Sequence, residues 1–517
     1  MSFESSFVAL FAIATPVALA AARLKIPYTV ALVLVGLGLG ATHLLSAPHL
    51  TKALLYSVFL PGLIFEASFH LDGKRFVQNL AAISALSVPG VLVSGFIMAP
   101  LVAWAMSSLH FTAGFGFTDG LLFAALIVAT DPIAVVGLFK TLGVPKRLAT
   151  LIEGESIFND GTAVAFYSVV LATTTGAHLS VGKATLDFFY IAGIGLLIGF
   201  AIGFAVSRIM RRVEDPMIEI TLTTIAAYGS FVAAEGLGAS GVIATATAGL
   251  VCGHQIASVG GNASARLAVH SFWEYVAFGL NSIVFLLIGL EVPVTRLIDS
   301  WKLIAVAWII VTAVRAALVF MTSLGMWPTR ARLPWAWSLV LGWGGLRGAL
   351  SMVLALSLPT DFVHRDVIVT MTFGVVIISI LVQGLTMSPL LAWLKIGAQH
   401  TSASAAEIAR ARLLSARAGL DALRSADELP PEALVAEVRK EYEAMVHEAE
   451  ADVVSATTHA DTEEAQARRL RWKLVVAEKD ALLDSRERGL TTPETVEPLL
   501  RACDARLFEL ERTDDED

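Results

Sequence analysis

Long apolar runs constrain the fold of this chain more than any motif does. From the N-terminus to about Ile396, predominantly apolar stretches of roughly 20 residues recur, which is the length a helix needs to cross a bilayer. The chain is 56% hydrophobic and 16% charged, whereas a soluble protein carries about 25% charged residues. We therefore predict an all-α polytopic membrane protein. Its first stretch, MSFESSFVALF, lacks a basic leader and is interpreted as a retained span.

The distribution of charge predicts two domains. Residues 1–397 hold 21 Lys and Arg and 18 Asp and Glu, a net charge of +3, and residues 398–517 hold 16 and 27, a net charge of −11. We expect a transmembrane domain over 1–397 and a helical cytoplasmic C-terminal domain over 398–517. The two cysteines, Cys252 and Cys503, lie far apart in the sequence and predict neither a disulfide nor a metal site.

Hydropathy predicts about thirteen transmembrane helices. The segments are 6–22, 28–46, 51–70, 80–106, 119–139, 148–174, 187–209, 217–235, 239–254, 270–290, 302–326, 334–358 and 366–394. Loops after odd-numbered spans, up to the eleventh, carry 13 Lys and Arg, and loops after even-numbered spans carry 5. Because positive residues accumulate in cytoplasmic loops, we expect the N-terminus outside and the tail inside, as an odd number of spans requires.

Two predicted spans are interrupted in mid-membrane. Six spans on each side of a central seventh suggest two inverted six-helix repeats, in which the fifth span corresponds to the twelfth. The fifth contains ALIVATDPIAVVG, which Pro132 interrupts, and the twelfth contains LVLGWGGLRGAL, which four glycines interrupt. Discontinuous crossing helices at corresponding positions of two repeats predict a transport site.

The break in the fifth span carries oxygen ligands. Thr130-Asp131-Pro132 is typical of a helix start, a capping side chain followed by Pro at the first helical position. Since Pro132 has no N–H, we expect an upstream carbonyl without a helical partner. That carbonyl, the Thr130 hydroxyl and the Asp131 carboxylate are hard ligands that suit a small cation. The alternative is that Asp131 only caps a kinked helix.

The sixth span places further polar residues at membrane depth, in the sequence EGESIFNDG. Ser156 and Asp160 are four residues apart and share a helix face, as do Glu155 and Asn159. Carboxylates inside a membrane normally face a cavity or a counter-charge. One division of roles makes Ser156 and Asp160 cation ligands and gives Glu155 a basic partner.

Three more charged residues lie deep in predicted spans. Arg315 is central in the eleventh span and Arg347 in the twelfth, and either could form a structural ion pair with Glu155. Glu66, in LPGLIFEASFHLD, is deep in the third span. It either joins the cation site or its access route, or it is a protonated and hydrogen-bonded carboxyl group.

These segments resemble a known family. The stretch ATDPIAVVGLFKTLGVPKRLATLIEGESIFNDGTAVAFY is similar to the core of the NhaP-like Na+/H+ exchangers, within the monovalent cation:proton antiporters. LPGLIFEASFHLD, VTAVRAALVF and GWGGLRGAL match in the expected order over the membrane domain, and the tail resembles the helical tail of bacterial members. The resemblance implies a homodimer with a dimerisation domain and a six-helix core domain that carries the ion by alternating access.

The resemblance also implies roles for individual residues. Asp160 is implied to be the principal carrier of the cation and the proton. Na+ is implied to bind at Asp160, Asp131, Ser156 and Thr130, and Glu66 and Asn159 complete the set of cation- and proton-binding residues. Glu155 is implied to pair with Arg315, which leaves Arg347 to compensate the break in the twelfth span.

The expected activity is exchange of Na+ or Li+ for H+, serving pH and sodium homeostasis at the cell (inner) membrane. Burial favours the neutral form of a carboxyl group, so a proton and a cation would compete for Asp160. In the related proteins, asparagine at the position of Asn159 accompanies electroneutral one-for-one exchange. We expect a transporter rather than an enzyme, with no cofactor and no nucleic-acid partner.

Three alternatives remain at this point. A K+/H+ antiporter of the same fold would use the same ligands, and the sequence leaves the choice among Na+, Li+ and K+ open. It also leaves open the pH optimum, the direction of transport and any regulation by the tail. An intramembrane aspartyl protease would use Asp131 and Asp160 as its dyad, but the chain lacks the GxGD signature and the two arginines would be unexplained. A cation channel would show uncoupled flux.

Overall fold

Helices are the regular secondary structure in the part of the chain that a computed structural model describes, and turns or extended segments connect them. The described residues are 3–24, 26–42, 55–174, 181–213, 215–258, 263–292, 294–326, 333–397, 400–424 and 432–457, with short pieces between 471 and 503. Six helices in this part are long and apolar enough to cross a membrane, namely 80–108, 185–210, 216–236, 267–291, 301–326 and 365–393. The prediction of a helical polytopic membrane protein is confirmed, and the number of thirteen spans stays a prediction.

Two compact units make up the chain, residues 1–397 and 398–517. The first unit contains the helices α1 Phe3–Leu24, α2 Tyr28–Thr42, α3 Leu60–Phe69, α4 Gly73–Gln78, α5 Leu80–Ser87, α6 Pro89–Ser108, α7 Phe117–Ile127, α8 Ile133–Leu142, α9 Lys146–Thr174, α10 Val181–Met210, α11 Pro216–Gly236, α12 Gly241–Ser258, α13 Ala263–Glu291, α14 Val294–Asp299, α15 Trp301–Met326, α16 Trp335–Trp343, α17 Ala349–Leu356, α18 Arg365–Ile378 and α19 Gly384–Trp393. One π-helical turn, Leu55–Phe59, precedes α3, and another, Ser379–Gln383, joins α18 to α19.

The second unit contains α20 His400–Arg424 and α21 Glu432–Thr457, which pack against each other. An exposed ion pair joins them, with Arg417 Nη2 2.7 Å from Glu450 Oε1. Pairs of this kind contribute about 0–1 kcal/mol, so the packing of the two apolar faces holds this hairpin together.

The two interruptions predicted from the sequence are present. The fifth span is α7 and α8 with residues 128–132 between them, and the twelfth is α16 and α17 with residues 344–348 between them. Pro132 prevents a continuous helix, since it has no N–H to donate and disfavours the helical conformation of Asp131. The second helix begins at Ile133, one residue later than predicted, so Pro132 precedes it rather than occupying its first turn.

Small residues allow several helices of the membrane unit to approach closely. Three glycines of α10 follow each other at four-residue spacing and lie against one side of α12, where Cβ atoms would meet Ser240, Ala244 and Ala248: Gly195, Gly199 and Gly203. Helices in lipid associate through such small-residue contacts rather than through the hydrophobic effect.

Candidate cation site

The two interrupted spans meet at their breaks. The Asp131 N–H donates to the Leu346 carbonyl at 2.7 Å, a backbone hydrogen bond between the two extended segments. Gly348 lies directly against the Asp131 carboxylate, because a Cβ atom at that position would overlap it. The two breaks, which are far apart in the sequence, therefore form one local structure.

The Asp131 carboxylate has two contacts in this geometry. Its Oδ1 accepts the Ile133 N–H at 3.0 Å and so caps the N-terminus of α8. The same carboxylate borders Gly348 at the crossing of the spans, and the residue is partly exposed. The sequence left capping and cation binding as alternatives, but a single carboxylate has enough oxygen lone pairs for both.

Helix α9 brings two polar side chains to Thr130, at the same point. The Thr130 and Ser156 hydroxyl oxygens lie 3.2 Å apart, and Asn159 Nδ2 donates to Thr130 Oγ1 at 2.9 Å. All three residues are buried. Asn159 Oδ1 is buried without a hydrogen-bond partner among the described residues, which adds an amide oxygen to the hydroxyl and carboxylate oxygens of the cluster.

Asp160 differs from the other polar residues of α9. It is partly exposed, and within the described part of the chain it makes no hydrogen bond and no ion pair. The nearby charges that act on it are those of Asp131 and Glu155. Among the carboxylates of the two breaks and the centre of α9, Asp160 is thus the one without a described hydrogen bond or ion pair.

Glu155 forms its ion pair with Arg315. Arg315 Nη1 and Nη2 donate to Glu155 Oε1 and Oε2, each at 2.6 Å, and Nη2 also donates to the Leu341 carbonyl at 3.2 Å. The side chains of Glu155 and Arg315 are 2% and 9% exposed. The two parallel hydrogen bonds and the additional contact with a carbonyl offset the desolvation cost of burying this ion pair.

The Arg347 side chain contacts the break in the fifth span. Its Nη1 donates to the carbonyls of Val128 and Ala129, at 2.8 and 3.0 Å. These belong to the break in the fifth span, whereas we expected Arg347 to compensate the break in its own span. The Val128 carbonyl, four residues before Pro132, fits the upstream carbonyl that we expected as a cation ligand, and it accepts a hydrogen bond from the guanidinium group.

Glu66 lies on α3, and its described contact is with His70 just beyond the end of the same helix. His70 Nδ1 is 3.4 Å from Glu66 Oε1, and both side chains are about one-fifth exposed, at 20% and 22%. This contact places the Glu66 carboxylate at the end of α3, and the charges of both Glu66 and Asp131 act on Tyr28.

Sequence reasoning missed two polar residues beside the arginines. Arg347 N–H donates to Ser379 Oγ at 3.1 Å, and Gln383 lines a narrow crevice with Trp308, Arg315 and Arg347. Within the described residues, one atom of each of these four crevice side chains is buried without a partner: Trp308 Nε1, Arg315 Nε, Arg347 Nε and Gln383 Oε1. Ser379 and Gln383 are four residues apart in an apolar span, and that spacing could have identified them.

Gly348→Ala tests the contact between the breaks. Because a Cβ atom there would overlap the Asp131 carboxylate, we expect the substitution to displace that carboxylate and raise the KM for Na+ at least tenfold, about 1.4 kcal/mol. The measurement is exchange at a series of Na+ concentrations. Gly342→Ala is the matched control, because its Cβ atom would meet Ala316 Cα at an ordinary 3.5 Å. An unchanged KM in Gly348→Ala would contradict the assignment of Asp131.

Comparison with known proteins identifies the family of this chain. The family model described as "Sodium/hydrogen exchanger, transmembrane" matches residues 7–393. The chain belongs to the sodium/hydrogen exchanger family. The resemblance noted in the sequence is therefore confirmed, and the match covers all of the site residues discussed above.

Two relatives of this exchanger are named Na+/H+ antiporters. The Na+/H+ antiporter ApNhaP of Aphanothece halophytica is 39% identical over 365 residues, which are 70% of this chain and 68% of the relative. The Na+/H+ antiporter NhaS2 of Synechocystis sp. is 31% identical over 98% of this chain and 93% of its own length, so that match extends into the tail.

A solved structure shows the same fold. The sodium proton antiporter MjNhaP1 from Methanocaldococcus jannaschii superposes with a TM-score of 0.60 at 19% identity, over 74% of this exchanger and 100% of that chain. At this level of identity the likeness concerns the fold and not the site.

Proposed function

We propose that this protein exchanges Na+ for H+ across the cell membrane by alternating access. The observation that carries the proposal is the partly exposed Asp160, unpaired within the described residues, beside the crossing of two interrupted helices. The named relatives are Na+/H+ antiporters, and this favours Na+ over the K+ alternative. Membership of a family of transporters likewise gives no support to a protease.

In the proposed mechanism a proton and a cation occupy Asp160 in turn. The protonated carboxyl group carries no charge, and the ionised group with Na+ carries none either. The oxygens of Thr130, Ser156 and Asp131 complete the cation shell, and hard oxygen ligands of this kind suit an alkali cation. Because an unneutralised charge is costly inside a membrane, the empty ionised site crosses much more slowly than either occupied form, and this couples the two fluxes.

The ion pair and Arg347 have supporting roles in this proposal. Arg315 neutralises Glu155, and the Glu155 carboxylate therefore takes no part in the exchange. Arg347 donates hydrogen bonds to two carbonyls of the fifth-span break. These bonds replace the helical hydrogen bonds that the extended segment lacks. We further propose a homodimer, with the N-terminus outside and residues 398–517 in the cytoplasm, as the loop charges predict.

Cation selectivity is the first test. Proteoliposomes that contain the full chain and an internal pH dye would receive NaCl, LiCl, KCl or choline chloride after a proton gradient is established. We expect Na+ and Li+ to dissipate the gradient quickly and choline to have no effect. A response to K+ as large as that to Na+ would replace the proposed substrate with K+. No response to any cation would contradict the proposal.

Stoichiometry is a second test. If one proton replaces one Na+ at Asp160, each half-cycle moves a neutral site, and transport generates no current. We expect solid-supported membrane recordings of the wild type to show none, while Asn159→Asp, which adds a second ionisable group one residue from Asp160, introduces one. A current in the wild type that follows the rate of exchange would exclude one-for-one exchange.

A further inference from the structure

Burial along α9 is continuous only beyond Asp160. Glu153, Phe158 and Asp160 are partly exposed on the side of the α8–α9 loop, whereas the seven residues that follow Asp160, 161–167, are all buried. This stretch, which leads away from the loop between α8 and α9, is therefore closed. Something on a neighbouring helix must close it.

Ile243, near the start of α12, occupies this position. Its side chain lies directly on Gly161, the residue after Asp160, because a Cβ atom at Gly161 would overlap Ile243 Cγ1. On its other side, Ile243 Cβ is 3.5 Å from where a Cβ atom of Gly195 on α10 would stand. The isoleucine is 7% exposed, so it fills the space between two glycine surfaces.

The contact between α9 and α12 is smaller than the main contacts of α12. Helix α9 packs most with α5 and α7 and less with α10 and α12, whereas α12 packs most with α10, α3 and α11. The contact of Ile243 with Gly161 therefore lies in one of the weaker interfaces of α12. It is apolar, and the described residues show no hydrogen bond between Ile243 and Gly161 that movement would have to break, so the two surfaces can separate and meet again.

On the basis of the proposed exchange activity, we propose that Ile243 seated on Gly161 is the seal that closes the cation site on the side of the membrane away from the α8–α9 loop. The seal opens when α9 moves relative to α12 and exposes Asp160 to that side. Glycine is required at 161 because any larger residue would prevent the isoleucine from closing against the helix. Ile243 is thus a positioning residue that touches neither ion.

Cysteine labelling tests the seal independently of transport. Val164 lies about one turn beyond Gly161 and is 7% exposed. In a Cys252→Ala, Cys503→Ala background, Val164→Cys should react slowly with a membrane-impermeant maleimide applied to intact cells. Gly161→Ala should increase its labelling rate at least tenfold and slow exchange by a similar factor, since the closed state is disfavoured. Adding Ile243→Ala to Gly161→Ala should restore the rate of exchange towards the parent value, because the clash is gone and the new methyl group at 161 takes the place of the removed Ile243 Cγ1.

Two controls keep the test decisive. Gly193→Ala on α10 introduces the same methyl group where nothing lies within 4 Å of it, and we expect no change. Ile243→Ala alone removes the seal without a clash, and it should raise labelling even if Gly161→Ala fails to fold. Unchanged labelling in Ile243→Ala, or no recovery of exchange in the double variant, would overturn the proposal. A wild type that labels as expected but does not exchange cations would instead count against the proposed function.

Discussion

Replacement of Asp160 by asparagine is expected to reduce Na+-dependent proton movement to the level of protein-free liposomes. Asparagine matches the shape of aspartic acid but can neither release a proton nor neutralise a cation. Because Asp160 makes no hydrogen bond or ion pair within the described residues, no described interaction is lost, and the variant should keep the yield and melting temperature of the wild type.

The measurement is the internal-pH assay with NaCl, together with a thermal melt in detergent. Asp361→Asn is a suitable control, because the same chemical change falls on an exposed residue outside the cluster. If Asp160→Asn still exchanged Na+ for H+, Asp160 would not be the carrier, and Asp131 would become the next candidate. Loss of exchange together with loss of folding would require Asp160→Glu to separate the two effects.

Disruption of the Glu155–Arg315 pair is expected to affect stability rather than the chemistry of exchange. Glu155→Gln leaves the Arg315 guanidinium buried without its counter-charge, and removal of one partner of a buried pair costs about 3–5 kcal/mol. We expect a lower yield and a clearly lower melting temperature. The thermal melt in detergent measures this, with Glu274→Gln, which is exposed on α13, as the control.

A double variant separates charge from packing. Glu155→Gln combined with Arg315→Gln removes both charges, so it should be more stable than Glu155→Gln alone, because no unpaired ion remains. An unchanged melting temperature in the single variant would mean that the pair contributes little. A double variant no better than the single one would mean that shape, and not charge, is what the site requires.

The fold class and both helix breaks could be predicted from the residues, because each depends on local chemistry. A run of apolar residues defines a span, and Asp131-Pro132 or a cluster of glycines interrupts one. The polar residues of α9 could be collected in the same way, since the spacing of four between Ser156 and Asp160 follows from the helical repeat.

The contacts between spans could not be predicted from the residues alone. From the residues alone, Glu155 could pair with either Arg315 or Arg347. The approach of α9 to α15 shows that the partner is Arg315, as the family resemblance implied. Arg347 donates to the carbonyls of Val128 and Ala129, and backbone carbonyls have no signature in a sequence. The contact of Ile243 with Gly161 is equally hard to predict, because isoleucine and glycine are ordinary residues of any membrane helix.

The backbone hydrogen bond from Asp131 to Leu346 has a consequence for protein engineering. It joins the two breaks through main-chain atoms, so a change in the length or path of one segment displaces the other. A chimaera that imports only the fifth-span segment of a relative with another ion preference would misalign its imported ligands. Segments 128–132 and 344–348 should be exchanged together, as a single cassette.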